Sequence, residues 1–263
     1  MPLKTLLLLL IVVPAVLAAP VDAGTDTRLP EGPIRFNVSP GGYPPYTMVH
    51  DDGSVSGIFW DVMVILARQH DYQLEVQQIP TKRVDGFLLR DELDVTMRAR
   101  EWTDQPDAFV FTDGILKARD SIFRRADSPL HSRTLDDLEG TILLTNLGYH
   151  HPRLESRFAS GRIRRIDVPN TLNMLQRLHN GQHLQGGVAN RRAAQWIIRQ
   201  HGWQSRFRIE PVALDVTEYR LMFAPKWAPL MDGFNRTLTD LRRSGTLDEI
   251  IARYLPEGSA PGI

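Results

Sequence analysis

The run GGYPPYTMVHDDGSVSGIFWD, residues 41–61, carries two tyrosines bracketing a proline pair. Pro44 and Pro45 fix φ and remove two backbone donors, so Tyr43 and Tyr46 belong to a stiff loop that reads as exposed. A flat ring held in this way stacks on a ligand, or on its cation, at little ordering cost. The competing reading is a rigid loop packed on the helix after Gly57. Arg98 and Arg100 follow one another at the same parity at the end of an apolar run. Each presents a planar fork suited to a carboxylate or phosphate, and each could instead pair on the surface with Asp94, Glu101 or Asp104. His150-His151 and His179 with His183 do not read as a metal site. Adjacent histidines rarely share an ion, and Asn180-Gly181 breaks the helix that an i, i+4 pair needs. A surface or loop role is expected for all four. Arg162, Arg164 and Arg165 and the pair Arg191-Arg192 read as solvated faces.

The rest of the composition narrows the setting. The chain has 263 residues, 31 basic against 31 acidic side chains and no cysteine, so there is no electrostatic footprint for nucleic acid and no thiolate nucleophile. That length approaches the size at which one core gives way to two. Residues 1–19 combine a positive start, an apolar run from Leu6 to Val13 and the small-residue site Val16-Leu17-Ala18-Ala19, which read as a cleavable secretory signal. The expected location is therefore the periplasm, with no lipid anchor and no membrane-spanning helix in the mature chain.

The elements that would position these side chains follow two periods. Ile34, Phe36 and Val38 alternate with polar residues, as do Tyr72, Leu74 and Val76, which predicts strands. A helix over 60–70 lies between them. Thr81 caps a second helix with Val84, Phe87 and Leu88, and Leu93, Val95 and Met97 form a third strand. This β-α-β-α-β order favours a parallel sheet with right-handed crossovers. The pattern restarts at residues 142–144, with helices from Thr171 and over 193–198 around a strand at 187–189. A strand at 219–223 leads to one long helix carrying Trp227, Leu230, Met231, Phe234, Leu238 and Leu241. Thr246-Leu247-Asp248-Glu249 reads as a capping box opening the last helix, and PEGSAPGI as a frayed tail.

Taken in order, YPPYTMVHDDGSVSGIFWDVMVILA, LDVTMRAR, FVFTDGIL, TLDDLEGTILL and LTDLRRSGTLDEIIARYL resemble family 3 of the bacterial extracellular solute-binding proteins, the periplasmic receptors of amino-acid-type ABC importers. The resemblance implies a two-lobed α/β clamp of the type II periplasmic-binding-protein class, each lobe a sheet flanked by helices. Residues 30–118 and 219–255 would form the first lobe and residues 121–214 the second. Two strands would cross between them, near 120–124 and 216–220. It further implies a ligand site in the cleft drawn from Tyr46, Arg98, Arg100, Gly148, Tyr149 and Asn190. Gly148 and Tyr149 belong to TNLGYHHP, where relatives carry a turn opening a helix whose backbone N–H groups suit an anion. No cofactor and no metal is implied.

The chain departs from its relatives where they hold a free amino acid. The arginine that usually grips the carboxylate falls near Gln105, and the aspartate that grips the ammonium falls on Asn190. Asn190 both donates and accepts, which favours a neutral or anionic group there. Three readings follow: a monomeric receptor delivering a small polar, carboxylate-bearing molecule to an inner-membrane ABC permease; a ligand-sensing protein that retains the clamp and works with a membrane sensor; and an enzyme similar to the cyclohexadienyl dehydratases. No acidic residue stands at a strand end beside an obvious partner, so a binder rather than an enzyme is expected.

Overall fold

A computed structural model describes residues 29–181 and 184–254. The expected signal segment, the tail and His183 lie outside the described residues. The first half begins with β1 (Ile34–Asn37), the short hairpin β2 (Met48–Val49) and β3 (Val55–Ser56), then α1 (Ile58–Gln69), β4 (Leu74–Gln77), α2 (Thr81–Leu89) and β5 (Val95–Ala99). β1 pairs in parallel with both β4 and β5. This is the arrangement the β-α-β-α-β order favours, because parallel neighbours need a long crossover and a helix supplies it. After β6 (Val110–Phe111) comes the ten-residue β7 (Leu116–Arg125).

The second half runs β8 (Ile142–Asn146), α3 (Pro152–Ala159), β9 (Arg164–Val168), α4 (Thr171–Asn180), β10 (Gly186–Asn190), α5 (Arg191–Gln200) and β11 (Phe207–Ile209). β8 pairs in parallel with β9 and β10. The chain returns through β12 (Val216–Phe223) to α6 (Met231–Arg243) and α7 (Thr246–Tyr254).

The two long strands join the halves. Leu116 to Arg119 of β7 pair antiparallel with Val216 to Tyr219 of β12. Beyond that shared stretch β7 continues against β10 through residues 120–123, whereas β12 continues against β5 through residues 219–223. The sheet path is therefore β4-β1-β5-β12-β7-β10-β8-β9. The apolar cores follow the same division. One cluster gathers Phe36, Phe59, Leu66, Val95, Phe223, Trp227, Phe234 and Ile250; two others gather Phe123, Leu144, Met174 and Leu175, and Ile122, Leu143, Leu154 and Val188. Phe36, Phe59, Phe123, Phe223, Trp227 and Phe234 are among the largest fully buried side chains.

Three local expectations are corrected. The long helix from Trp227 is broken: residues 225–230 form a 3-10 turn containing Pro229, and α6 starts only at Met231. Proline lacks the N–H that an α-helix interior requires. Thr81 is the first residue inside α2 rather than its cap, which is Pro80. Thr246 likewise lies within α7, its hydroxyl 2.9 Å from that of Ser244.

Candidate functional site

The proline loop is not exposed. Its carbonyls fold onto the start of α1, where Ile58 N donates to Pro45 O (3.1 Å) and Phe59 N to Tyr46 O (2.9 Å). Two of the N–H groups that every helix leaves unpaired at its start are thereby satisfied. Gly57 makes the approach possible: its φ is +122°, and a Cβ there would come within 2.6 Å of Tyr46 O. Tyr46 is consequently 0% exposed. This is the second of the two readings of the loop, packed on the helix after Gly57 rather than exposed; a Pro-Pro run reports stiffness, not whether the stiff segment faces water.

Burial gathers the aromatic rings around the crossing strands. Tyr46 lies 5.2 Å from Tyr43 and 5.1 Å from Tyr219 between ring centroids, and the hydroxyls of Tyr43 and Tyr219 are 3.4 Å apart. Burial pushes the phenols of Tyr43, Tyr46, Tyr149 and Tyr219 above their ordinary range. All four therefore stay protonated and neutral, and between Tyr43 and Tyr219 one hydroxyl donates and the other accepts.

The Tyr46 hydroxyl donates to Asn190 Oδ1 at 2.7 Å. The same oxygen accepts from Ala193 N at 3.1 Å, capping α5. Asn190 is thus held by its own helix and by the other half of the molecule, while its Nδ2 is buried without a partner among the described residues.

Asn190 pairs in register with Asp120 on β7. Asp120 accepts from His151 Nδ1 at 2.9 Å, with the two side chains 6% and 2% exposed. This corrects the surface reading of His151 and supplies the acidic residue with a partner that the sequence did not disclose. Nothing local could have found it, since the two positions are 31 residues apart and only the β7 crossing brings them together. His151 Nε2 is buried and unpartnered among the described residues, as is Asn146 Oδ1 at the end of β8.

The turn after β8 brings the remaining expected residues alongside. Tyr149 N donates to Asn146 O at 3.1 Å, and Tyr149 O accepts from Arg165 Nη2 at 2.9 Å. Gly148 adopts φ +81°, and a Cβ on it would lie 3.5 Å from Lys82 Cε of the first half. Arg98 donates to Asp85 on α2 at 2.6 Å, with its side chain 17% exposed and its Nε unpartnered among the described residues. Tyr149 feels the charges of both Arg98 and Asp120. Arg100 is not part of this group: it pairs with Asp107 at 2.5 Å on the surface and lies over the Phe111 ring. Neither arginine takes the Asp94, Glu101 or Asp104 partners that the sequence offers. Among the described residues, no cluster of histidine and acidic side chains has the makings of a metal site, and no helix is long and apolar enough to cross a membrane.

The arrangement is a polar seam between two α/β halves, with donors and acceptors from both facing it. The profile of the bacterial extracellular solute-binding proteins, family 3, matches residues 35–257. No curated protein sequence matches the chain. Among solved structures, a mutant of ArgBP from T. maritima is 20% identical at a TM-score of 0.71, over 85% of this chain and 95% of its own. A binding component of an ABC transporter from Wolinella succinogenes, complexed with lysine, is 16% identical at 0.75, over 86% and 97%. A histidine kinase sensor domain with similarity to periplasmic binding proteins is 22% identical at 0.72, over 85% and 96%. The fold is accordingly the type II periplasmic-binding-protein clamp, two lobes joined by two crossing strands.

Proposed function

The chain belongs to family 3 of the bacterial extracellular solute-binding proteins, and on that premise we propose that it captures a small polar, carboxylate-bearing molecule, an amino acid or a derivative, between its lobes. The lobes in this reading are residues 30–118 with 219–255, and residues 121–214. The ligand lies where Tyr46, Arg98, Gly148, Tyr149 and Asn190 approach one another. Contacts from both lobes, made together only when the clamp is shut, drive closure.

The observation that carries the reading is the Tyr46–Asn190 hydrogen bond flanked by unpartnered buried polar atoms. Buried polar groups are otherwise nearly always satisfied, so an unsatisfied set at a seam is what a polar ligand would complete. Arg98 supplies the cation for a carboxylate, since its Nε is free of protein partners among the described residues.

The closed complex then docks on an inner-membrane ABC permease in the periplasm. A second reading, supported by the sensor domain of the histidine kinase among the structural neighbours, is that closure signals to a membrane sensor. Both are binding functions without turnover.

A thermal-shift panel of amino acids, their amides, opines, small dicarboxylates and polyamines tests the proposal, because a ligand of the folded state raises the melting temperature. A concentration-dependent rise with a carboxylate-bearing class supports it. Turnover of a panel member would replace it with the enzymatic reading.

A further inference from the structure

Position 190 carries an amide where the family's amino-acid binders hold an ammonium with a carboxylate, yet a buried carboxylate lies beside it. Asp120 is the register partner of Asn190 across the β7–β10 pair. Its oxygen Oδ2 faces His151 Nδ1 at 2.9 Å. A carboxylate accepts only, so Nδ1 carries the proton, and in the neutral ring Nε2 is left as an acceptor. A carboxylate behind an imidazole also fixes the tautomer and the orientation of the ring. That far nitrogen is buried with no partner among the described residues, and so are Asn190 Nδ2 and Asn146 Oδ1.

These atoms come from three elements that end at one place. Asn146 closes β8, Asn190 closes β10 and His151 precedes α3, while β8 and β10 are paired neighbours. Two of the three, His151 Nε2 and Asn146 Oδ1, accept hydrogen bonds. The charge around them is uneven. Arg98, Lys82 and Arg192 approach the seam from either side, and the carboxylate whose charge reaches Tyr46, Tyr149 and Tyr219 is that of Asp120.

We infer that the Asp120–His151 pair is the receptor for an amine: His151 Nε2 and Asn146 Oδ1 accept N–H donors from a ligand ammonium, and Asp120 supplies the compensating charge through the imidazole. The inference rests on the binding reading and deepens it. It makes the ligand a zwitterion, its carboxylate toward Arg98 and its ammonium toward His151, although the usual acidic position has become Asn190. The negative charge has moved one strand over, from β10 to β7, with histidine as the intermediary.

The test uses matched probes on the full chain without its signal segment. Arginine, lysine, glutamine and glutamate are each titrated calorimetrically beside the N-acetylated and des-amino forms of the same molecule. Binding of one or more free-amine probes with at least tenfold loss for its blocked partners is the expected result, a hydrogen bond to a charged group being worth roughly tenfold to a hundredfold in affinity. Asp120→Asn and His151→Gln then lower affinity for that probe by a similar factor. They leave the residual affinity for its des-amino form unchanged, which a merely structural role would not do.

Equal binding of blocked and free probes overturns the amine receptor while leaving the binding reading in place. Unaltered affinity in both variants, with the fold retained, overturns it as well. Silence from every member of every pair, with a carboxylate of the thermal-shift panel still bound, overturns the amine receptor alone; silence across that panel as well overturns both readings together. The comparison of probes on the unsubstituted chain stands even if either variant fails to fold.

Discussion

The phenol of Tyr46 and the amide oxygen of Asn190, 144 residues apart in sequence, meet in a 2.7 Å hydrogen bond that ties the first lobe to the second. The amide oxygen is already the N-cap of α5. The bond therefore couples the start of a second-lobe helix to a first-lobe loop whose carbonyls cap α1.

Tyr46→Phe removes the bond and keeps the ring packing. Stability is expected to fall by about 1 kcal/mol, and Asn190→Ala by about 1–2 kcal/mol because the cap goes too. Urea unfolding of both single variants and the double variant gives the coupling directly. Strict additivity would mean that the lobes are not held together here.

The two arginines separate cleanly. Arg98→Ala is expected to abolish binding of a carboxylate probe with the circular-dichroism spectrum unchanged, since truncating one partner of a buried charged contact costs about 2–5 kcal/mol. Arg100→Ala, whose side chain is 46% exposed, is expected to change neither binding nor stability beyond about 0.5 kcal/mol. Equal effects of the two would move the anion contact away from Arg98.

Gly57→Ala places a Cβ 2.6 Å from Tyr46 O and 2.8 Å from Thr47 Cα in a backbone conformation of φ +122°. Such strain costs on the order of 1–3 kcal/mol, and here it also pushes the Tyr46 loop off α1. A lowered melting temperature together with weakened ligand binding is the expected pair of results. Weakened stability with binding intact would show that the loop can shift without moving Tyr46.

Asp94 sets the acid limit of the first lobe. Burial alone would raise its pKa, but hydrogen bonds from Arg35, Lys226 and Trp227 outweigh that and hold it down at about 2, against an ordinary 3.8. A depressed folded pKa contributes stability that is present above the unfolded value and lost as pH falls through the folded one. Roughly 2 kcal/mol should disappear between about pH 4 and pH 2. Asp94→Asn should be weaker at pH 7 and lose less over that window. Parallel acid limbs for the two proteins would remove Asp94 from the account.

Much of the fold was legible because its signals are local. β1 alternates buried Ile34 and Phe36 with polar residues, β8 and β10 are short runs buried almost throughout, and helices α1, α4 and α5 keep a single apolar side. β9 was missed because it is an edge strand of the sequence Arg-Arg-Ile-Asp-Val, and charge is how edges are kept from pairing further. The same charges made residues 162–165 read as a solvated face. α3 was missed for a similar reason, with Leu154 its buried residue.

The site was legible in part. Tyr46 and Asn190 carry recognisable positions, but their bond, the depth of the tyrosine cluster and the Asp120–His151 pair depend on two strands crossing between lobes. No periodicity within either segment encodes that contact. His151 follows another histidine in a polar turn, and its buried partner is a carboxylate 31 residues earlier.

Closure of the lobes on a ligand is the central claim. The sequence contains no cysteine, so spin labels on Arg83→Cys and His150→Cys, exposed residues on opposite sides of the seam, report the interlobe distance without background. The probe is whichever carboxylate gives the largest thermal shift. The account predicts that adding it moves the distance distribution to a single, shorter and narrower peak. A probe that raises the melting temperature and leaves that distribution unchanged would contradict binding between the lobes.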